Sequence, residues 1–245
     1  MYHNIPIIML IARLVFSLIC QEVLEMPENK KLNFKELQTM QPKEVADCLT
    51  HLGREEMRAD EAEFIWNSLI EFFKGIANIP EEVLAVLHYV TVAVQPEDYL
   101  NITMANIDVI RNFGLDYGLN DDHLEAIAWR VREDFGGKEP EDYTVYDLEA
   151  LRQILCAFNR SEIERIRPKA FKEAAGIIGK LRNCNRDIMQ GFAQLATQKN
   201  AFGSPSLWTN TTLHAVGAVA EYLPSDVVTK LKVRLGRNVF TDENN

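Results

Sequence analysis

Along most of this chain, apolar residues recur at steps of three and four, the stripe of an amphipathic helix. The pattern is sharpest from Thr144 to Leu231. The phrase TVYDLEALRQILCAFNRSEIERI, Thr144–Ile166, returns there as TNTTLHAVGAVAEYLPSDVVTKL, Thr209–Leu231. A shift of 65 positions lays Thr144 on Thr209, Leu148 on Leu213, Leu151 on Val216 and Ile154 on Val219. It also lays Phe158 on Leu223, Ile163 on Val228 and Ile166 on Leu231. Each copy opens with a threonine able to cap a helix. Each breaks at a polar turn, Asn159-Arg160-Ser161 or Pro224-Ser225-Asp226, and restarts as a second short helix. Between the copies, Pro168 suits a first helical turn. Phe171, Ala174, Ile177 and Leu181 carry that helix on to Cys184, repeating the steps found 23 positions earlier at Leu148, Leu151, Ile154 and Phe158. Units of this kind bury their stripes only by stacking. The expected fold is therefore all-α, with an ordinary helical bundle as the alternative to a stacked repeat. Phe158 and Leu223 are expected to be buried.

Upstream the same text continues more loosely. Phe34, Leu37 and Met40 form a short stripe, and Pro42 opens another through Val45, Leu49 and Leu52, with Gly53 placed to end it. The stretch Ala59 to Lys74 predicts a longer helix closed by Gly75. Pro80-Glu81-Glu82 is a helix start, with acids near the positive end of the dipole. Val90 to Val94 is β-branched enough for a strand, but no pairing partner lies nearby. Met104 to Phe113 and a helix capped by Asn120 follow. The acidic stretch 133–142, with Gly136-Gly137 and Pro140, is the clearest loop and a candidate hinge. We divide the chain into a candidate signal peptide over 1–25, helical repeats over 33–231 and a tail over 232–245 with basic residues at Lys232, Arg234 and Arg237.

The order of residues from Tyr143 to Leu231 resembles the mesothelin, stereocilin and otoancorin family. The residues that carry it are Tyr146-Asp147-Leu148, Ile154-Leu155-Cys156, Ile163 and Ile166. They continue through Phe171, Glu173-Ala174, Gly179, Leu181 and Cys184 to Phe202-Gly203, Ser206, Trp208-Thr209 and Leu223-Pro224. The resemblance implies a right-handed superhelical solenoid of short armadillo/HEAT-like helical repeats, lying outside the cell. It also implies adhesion without catalysis, toward a partner such as a mucin or an acellular gel component. Members of that family are typically longer and often carry a lipid-anchor signal.

Composition sets limits on the alternatives. A net charge of −10 disfavours nucleic acid and anionic lipid as partners. The apolar run from Ile5 to Cys20 suits a signal peptide centre, although Arg13 interrupts it and no Lys or Arg precedes it. It is short for a transmembrane span, and a buried first helix is the other reading. The four cysteines are Cys20, Cys48, Cys156 and Cys184. The residues leave Cys156 and Cys184 open as a bridge across neighbouring helices or as two buried thiols; with the resemblance, we read a disulfide. Asn101, Asn159 and Asn210 each begin an Asn-x-Ser/Thr acceptor, more than this composition gives by chance, and all fall at expected turns or helix starts. These two features favour the signal peptide.

No catalytic, cofactor or metal set stands out. The five histidines are scattered, and no zinc spacing, phosphate loop or nucleophile elbow occurs. His123 beside Asp121 and Asp122 reads as a capped helix start. The leading expectation is a non-enzymatic extracellular protein for cell–matrix or cell–cell attachment, without nucleic acid or a transmembrane span, and secreted or held at the cell surface. The alternative is an intracellular armadillo/HEAT-like scaffold that binds a peptide or protein partner.

Overall fold

Capping signals in the sequence set where the helices begin. In the computed structural model, which describes residues 17–27 and 32–235, side chains of Asn33, Asn106, Asn120, Thr144, Asn159, Asn185 and Thr209 each accept a backbone N–H in the helix they precede. Proline opens Pro42–Asp47 and Pro168–Ile178, where its missing N–H costs no helical bond. The described residues are all-helical, with no strand among them. Their buried apolar side chains, Leu124 excepted, form one continuous core.

The two copies seen in the sequence fold alike. Thr144 caps Val145–Leu151, and Thr209 caps Asn210–Val216. Each helix then meets a residue with positive φ: Arg152 at φ 40°, ψ −115°, and Gly217 at φ 56°, ψ −142°. A six-residue 3-10 segment follows, Arg152–Ala157 or Gly217–Tyr222. A turn at Phe158 or Leu223 leads into Arg160–Arg165 or Ser225–Leu235. The stripe Leu148, Leu151, Ile154 and Phe158 is buried, as is Leu223. The uninterrupted helix that this spacing suggests is instead two pieces, because a tight 3-10 turn also returns a side chain every three residues.

A third copy lies 64 positions upstream of the first. Glu81–Leu84 leads to His88 at φ 48°, then to the 3-10 segments His88–Ala93 and Pro96–Asn101. Leu84, Leu87, Val90, Val94, Tyr99 and Ile102 fill the positions of Leu148, Leu151, Ile154, Phe158, Ile163 and Ile166, and all are buried. The strand-like run at Val90 to Val94 is therefore the 3-10 arm of a repeat. By contrast, Pro168–Ile178 is no copy of Val145–Leu151. It has no left-handed break, buries Ile178 rather than Ile177, and stops at Gly179, leaving Cys184 in the following loop.

Each unit follows one order: a helix ending in glycine, a longer helix, the kinked pair and a closing segment. The glycine helices end at Gly53, Gly114 and Gly179. The longer helices are Ala59–Phe73, Asp121–Asp134 and Arg186–Ala196. Each longer helix packs on the 3-10 arm of its own unit. The kinked helix Val145–Leu151 packs on the glycine helices of its own unit and the next, Ile107–Phe113 and Pro168–Ile178. The closing segments Pro96–Asn101 and Arg160–Arg165 pack on the longer helix of the following unit.

Candidate functional site

The most regular feature of the molecule is the contact between glycine and kink. The N–H after each positive-φ residue donates to the glycine carbonyl of its unit: Tyr89 to Gly53 at 3.0 Å, Gln153 to Gly114 at 3.0 Å, and Ala218 to Gly179 at 3.1 Å. These glycines have ordinary negative φ, so conformational freedom is not what selects them. Space selects them. A Cβ on Gly53 would lie 2.5 Å from Leu87 O, and one on Gly179 would lie 2.6 Å from Val216 O. A Cβ on Gly114 would overlap Ala150 O and lie 2.7 Å from Leu151 O.

Around the second kink the chain is clasped to the third unit. Cys156 and Cys184 are joined by a disulfide with Cα atoms 4.7 Å apart. Cys156 sits on the 3-10 arm of one unit and Cys184 in the loop after the glycine helix of the next. Beside them Gln153, buried, donates from Nε2 to Arg182 O and accepts from Arg182 N at 3.4 Å. Gln153 is not recognisable from sequence, because an isolated glutamine carries no periodic signal.

Ion pairs brace the same region. Arg132 makes a two-pronged pair with Glu162, at 2.7 and 2.9 Å, and its guanidinium lies over the Phe158 ring. Arg160 bonds to Glu164 at 2.7 Å and reaches Asp187 at 3.3 Å. Arg165 joins Glu139 and Glu141, and Lys138 joins Asp147 at 2.7 Å. Asp134 accepts the Met104 N–H at 3.0 Å. The stretch 133–142 therefore carries contacts to three other segments. Burial alone would raise the Asp147 carboxyl, but Lys138 and the Thr144 N–H and hydroxyl outweigh it and hold the group below its usual value. Glu162 is treated alike: burial raises it, and Arg132 with the Asn159 N–H lowers it further. Burial pushes the Tyr143 phenol up to about 12.

The structure places Asn101, Asn159 and Asn210 on the exposed surface. Asn159 also caps its helix, accepting from Glu162 N at 2.9 Å, and Asn210 is the first residue of its helix. The three lie on different units and form no common site. His123 belongs to a helix cap, with Asn120 Oδ1 accepting its backbone N–H. Among the described residues, no group of three or more His, Cys, Asp and Glu converges as a metal site. No described helix is long and apolar enough to cross a membrane. Residues 1–16 of the candidate signal peptide, and Arg237 with the rest of 236–245, lie outside the described residues. Ser17–Met26 is docked: Ser17 Oγ donates to Thr39 O at 2.8 Å, and Val23 is buried. The last helix continues past Leu231 to Leu235.

These features define an all-helical protein in which one disulfide, Cys156–Cys184, ties the second helical unit to the third. Its sequence is similar to otoancorin. The mouse protein is 24% identical over 145 residues, covering 57% of this chain and 12% of that protein. The human protein is 24% identical over 155 residues, covering 63% of this chain and 13% of that protein. The chain thus spans about an eighth of the length of the curated relatives it matches. No family model matches the chain, and no solved structure matches it.

Proposed function

We propose that this chain is a non-enzymatic extracellular adhesion protein, mediating cell–matrix or cell–cell attachment through a solenoid of helical repeats. The observation that carries the reading is the similarity to otoancorin over 57% of the chain. The family resemblance adds the outside of the cell as location and a mucin or gel-matrix component as partner. The three glycine–kink contacts support the solenoid, since repetition of one contact is how stacked units close a common core. The Cys156–Cys184 bridge supports an oxidising compartment. Asn101, Asn159 and Asn210, exposed and on separate units, are the glycosylation sites. The apolar run that begins at Ile5 supplies the centre of a leader.

The test is expression of the full chain in a secreting cell, with intact mass of the medium protein taken before and after deglycosylation. The expected result is export, a mass loss on deglycosylation, and Cys156 and Cys184 protected from alkylation until reduced. Retention inside the cell with unmodified asparagines and alkylatable thiols would reject this reading in favour of an intracellular scaffold. Partner binding is checked on mucin-coated and gel-matrix surfaces.

A further inference from the structure

We propose that Cys20 and Cys48 form a second disulfide, fastening the N-terminal segment to the first unit. Both are free and buried in the structure. They come from separate elements: Cys20 opens the helix Cys20–Leu24, and Cys48 follows Pro42–Asp47. The two elements pack together. The Cys20 N–H donates to Glu44 Oε2 at 2.9 Å, and the Cys48 thiol donates to the Cys20 carbonyl at 3.8 Å. Just before Cys20, the Leu18 N–H donates to Thr39 Oγ1 at 3.2 Å, so the approach is held from both sides. Burial, followed by the contact with Cys20, pushes the Cys48 thiol well up. Because the thiolate is the attacking species, the buried Cys48 thiol is slow to attack once the chain is folded. The bridge forms while the N-terminal segment is still undocked.

The step rests on the oxidising compartment of the proposed function, and its oxidant is a small disulfide of the glutathione class. One cysteine thiolate attacks oxidised glutathione, breaking its S–S bond and releasing one glutathione thiolate. The second cysteine thiolate attacks the protein sulfur of that mixed disulfide and releases the other. Two protons and two electrons leave the cysteines, and two glutathione thiols appear. It follows that Cys20 remains in the mature chain, so the leader is cut before it rather than at the end of the 1–25 stretch.

The test uses the full chain, reduced in denaturant and refolded in a glutathione redox buffer, then digested without reductant. One linked peptide should contain Cys20 and Cys48, and another Cys156 and Cys184. The double variant Cys156→Ser/Cys184→Ser should still yield the first link. Cys48→Ser should leave Cys20 alkylatable. Recovery of Cys20 and Cys48 as free thiols beside an intact Cys156–Cys184 link overturns the proposal, as does Cys48 paired with Cys156 or Cys184. Refolding does not depend on the cell compartment, so failure here leaves the adhesion reading standing. A secreted chain whose first residue lies after Cys20 also overturns the pairing.

Discussion

Arg152 and Gly217 hold the same position in two copies of one unit, yet their local preferences are opposed. Glycine adopts a positive φ freely. For a side-chain-bearing residue, such backbone costs about 1–3 kcal/mol. The surroundings nonetheless match: Gln153 N donates to Gly114 O at 3.0 Å, and Ala218 N donates to Gly179 O at 3.1 Å. His88 repeats the arrangement with a third residue type. The kink is therefore imposed by the glycine-ended helix behind it rather than by the residue that bends. What stays constant across the three units is the acceptor glycine, and the bending residue is free to vary.

If the copies are energetically equivalent, truncating matched core residues should be comparably harmful. Phe158 and Leu223 occupy the same corner, and both are buried. Phe158 additionally packs against Tyr143 and carries Arg132 on its ring. Phe158→Ala should cost about 3–5 kcal/mol, and Leu223→Ala about 2–5 kcal/mol, read from urea unfolding midpoints. If either loss stays below about 1 kcal/mol, that copy is not part of the shared core.

The glycine contact can be tested by the sign of its effect. Gly114→Ala forces a methyl group against the Ala150 and Leu151 carbonyls. It should cost about 3 kcal/mol, at the upper end for overpacking, because backbone has to move. Gly176→Ala lies on the exposed face of Pro168–Ile178 with nothing within 4 Å of the new Cβ. It should stabilise by about 0.5–1 kcal/mol. Equal and small effects at both positions would remove the steric account of the kink.

How far this was readable follows from the same residues. The stripe of Leu148, Leu151, Ile154 and Phe158 and its echo at Leu213 to Leu223 stand in the sequence, because burial forces apolar identity at fixed spacing. The third copy is hidden. Its cap position holds Pro80 instead of threonine, and its offset of 64 rather than 65 breaks the alignment by one. The kink is invisible at Arg152 and His88, where residue type gives no hint of positive φ. The readable sign was instead three glycines, Gly53, Gly114 and Gly179, each ending a helix. The partner of Cys156 needed the family resemblance as well, since no helical spacing places Cys184, which lies in a loop. Whether Asn101, Asn159 and Asn210 face solvent depended on which turn each would join.

The copies also differ in charge. Thr144 and Asp147 cap each other reciprocally, and Lys138 pairs with the same carboxylate, whose side chain is 2% exposed. The matching position in the next copy is Thr212, which has no charge to titrate. A carboxyl held below its usual value in the fold binds fewer protons there than in the unfolded chain. Its contribution is therefore present above the usual value of about 3.9 and is lost as pH falls toward the folded value. Asp147→Asn should cost about 1–2 kcal/mol near neutral pH. The gap from the parent should close below about pH 4, measured as melting temperature against pH. A gap that stays constant through that range would mean the Asp147 carboxylate contributes no charge-dependent stability.

The smallest expected effect bears most directly on the opening comparison. Arg152→Gly relieves the cost of a side chain at φ 40°. It also frees the unfolded chain, which offsets part of that relief. The Arg152 Nε donation to Glu149 O at 2.8 Å is lost as well. These terms oppose one another, and the net gain should be no more than about 1 kcal/mol. The reverse change is not its mirror image: a Cβ on Gly217 would lie 2.7 Å from the Gly179 carbonyl oxygen. Gly217→Ala should therefore cost clearly more than Arg152→Gly gains. Paired urea titrations of the two variants check this asymmetry. If Arg152→Gly destabilises by as much as Gly217→Ala, the arginine itself holds the bend, and the glycine-ended helix is not its cause.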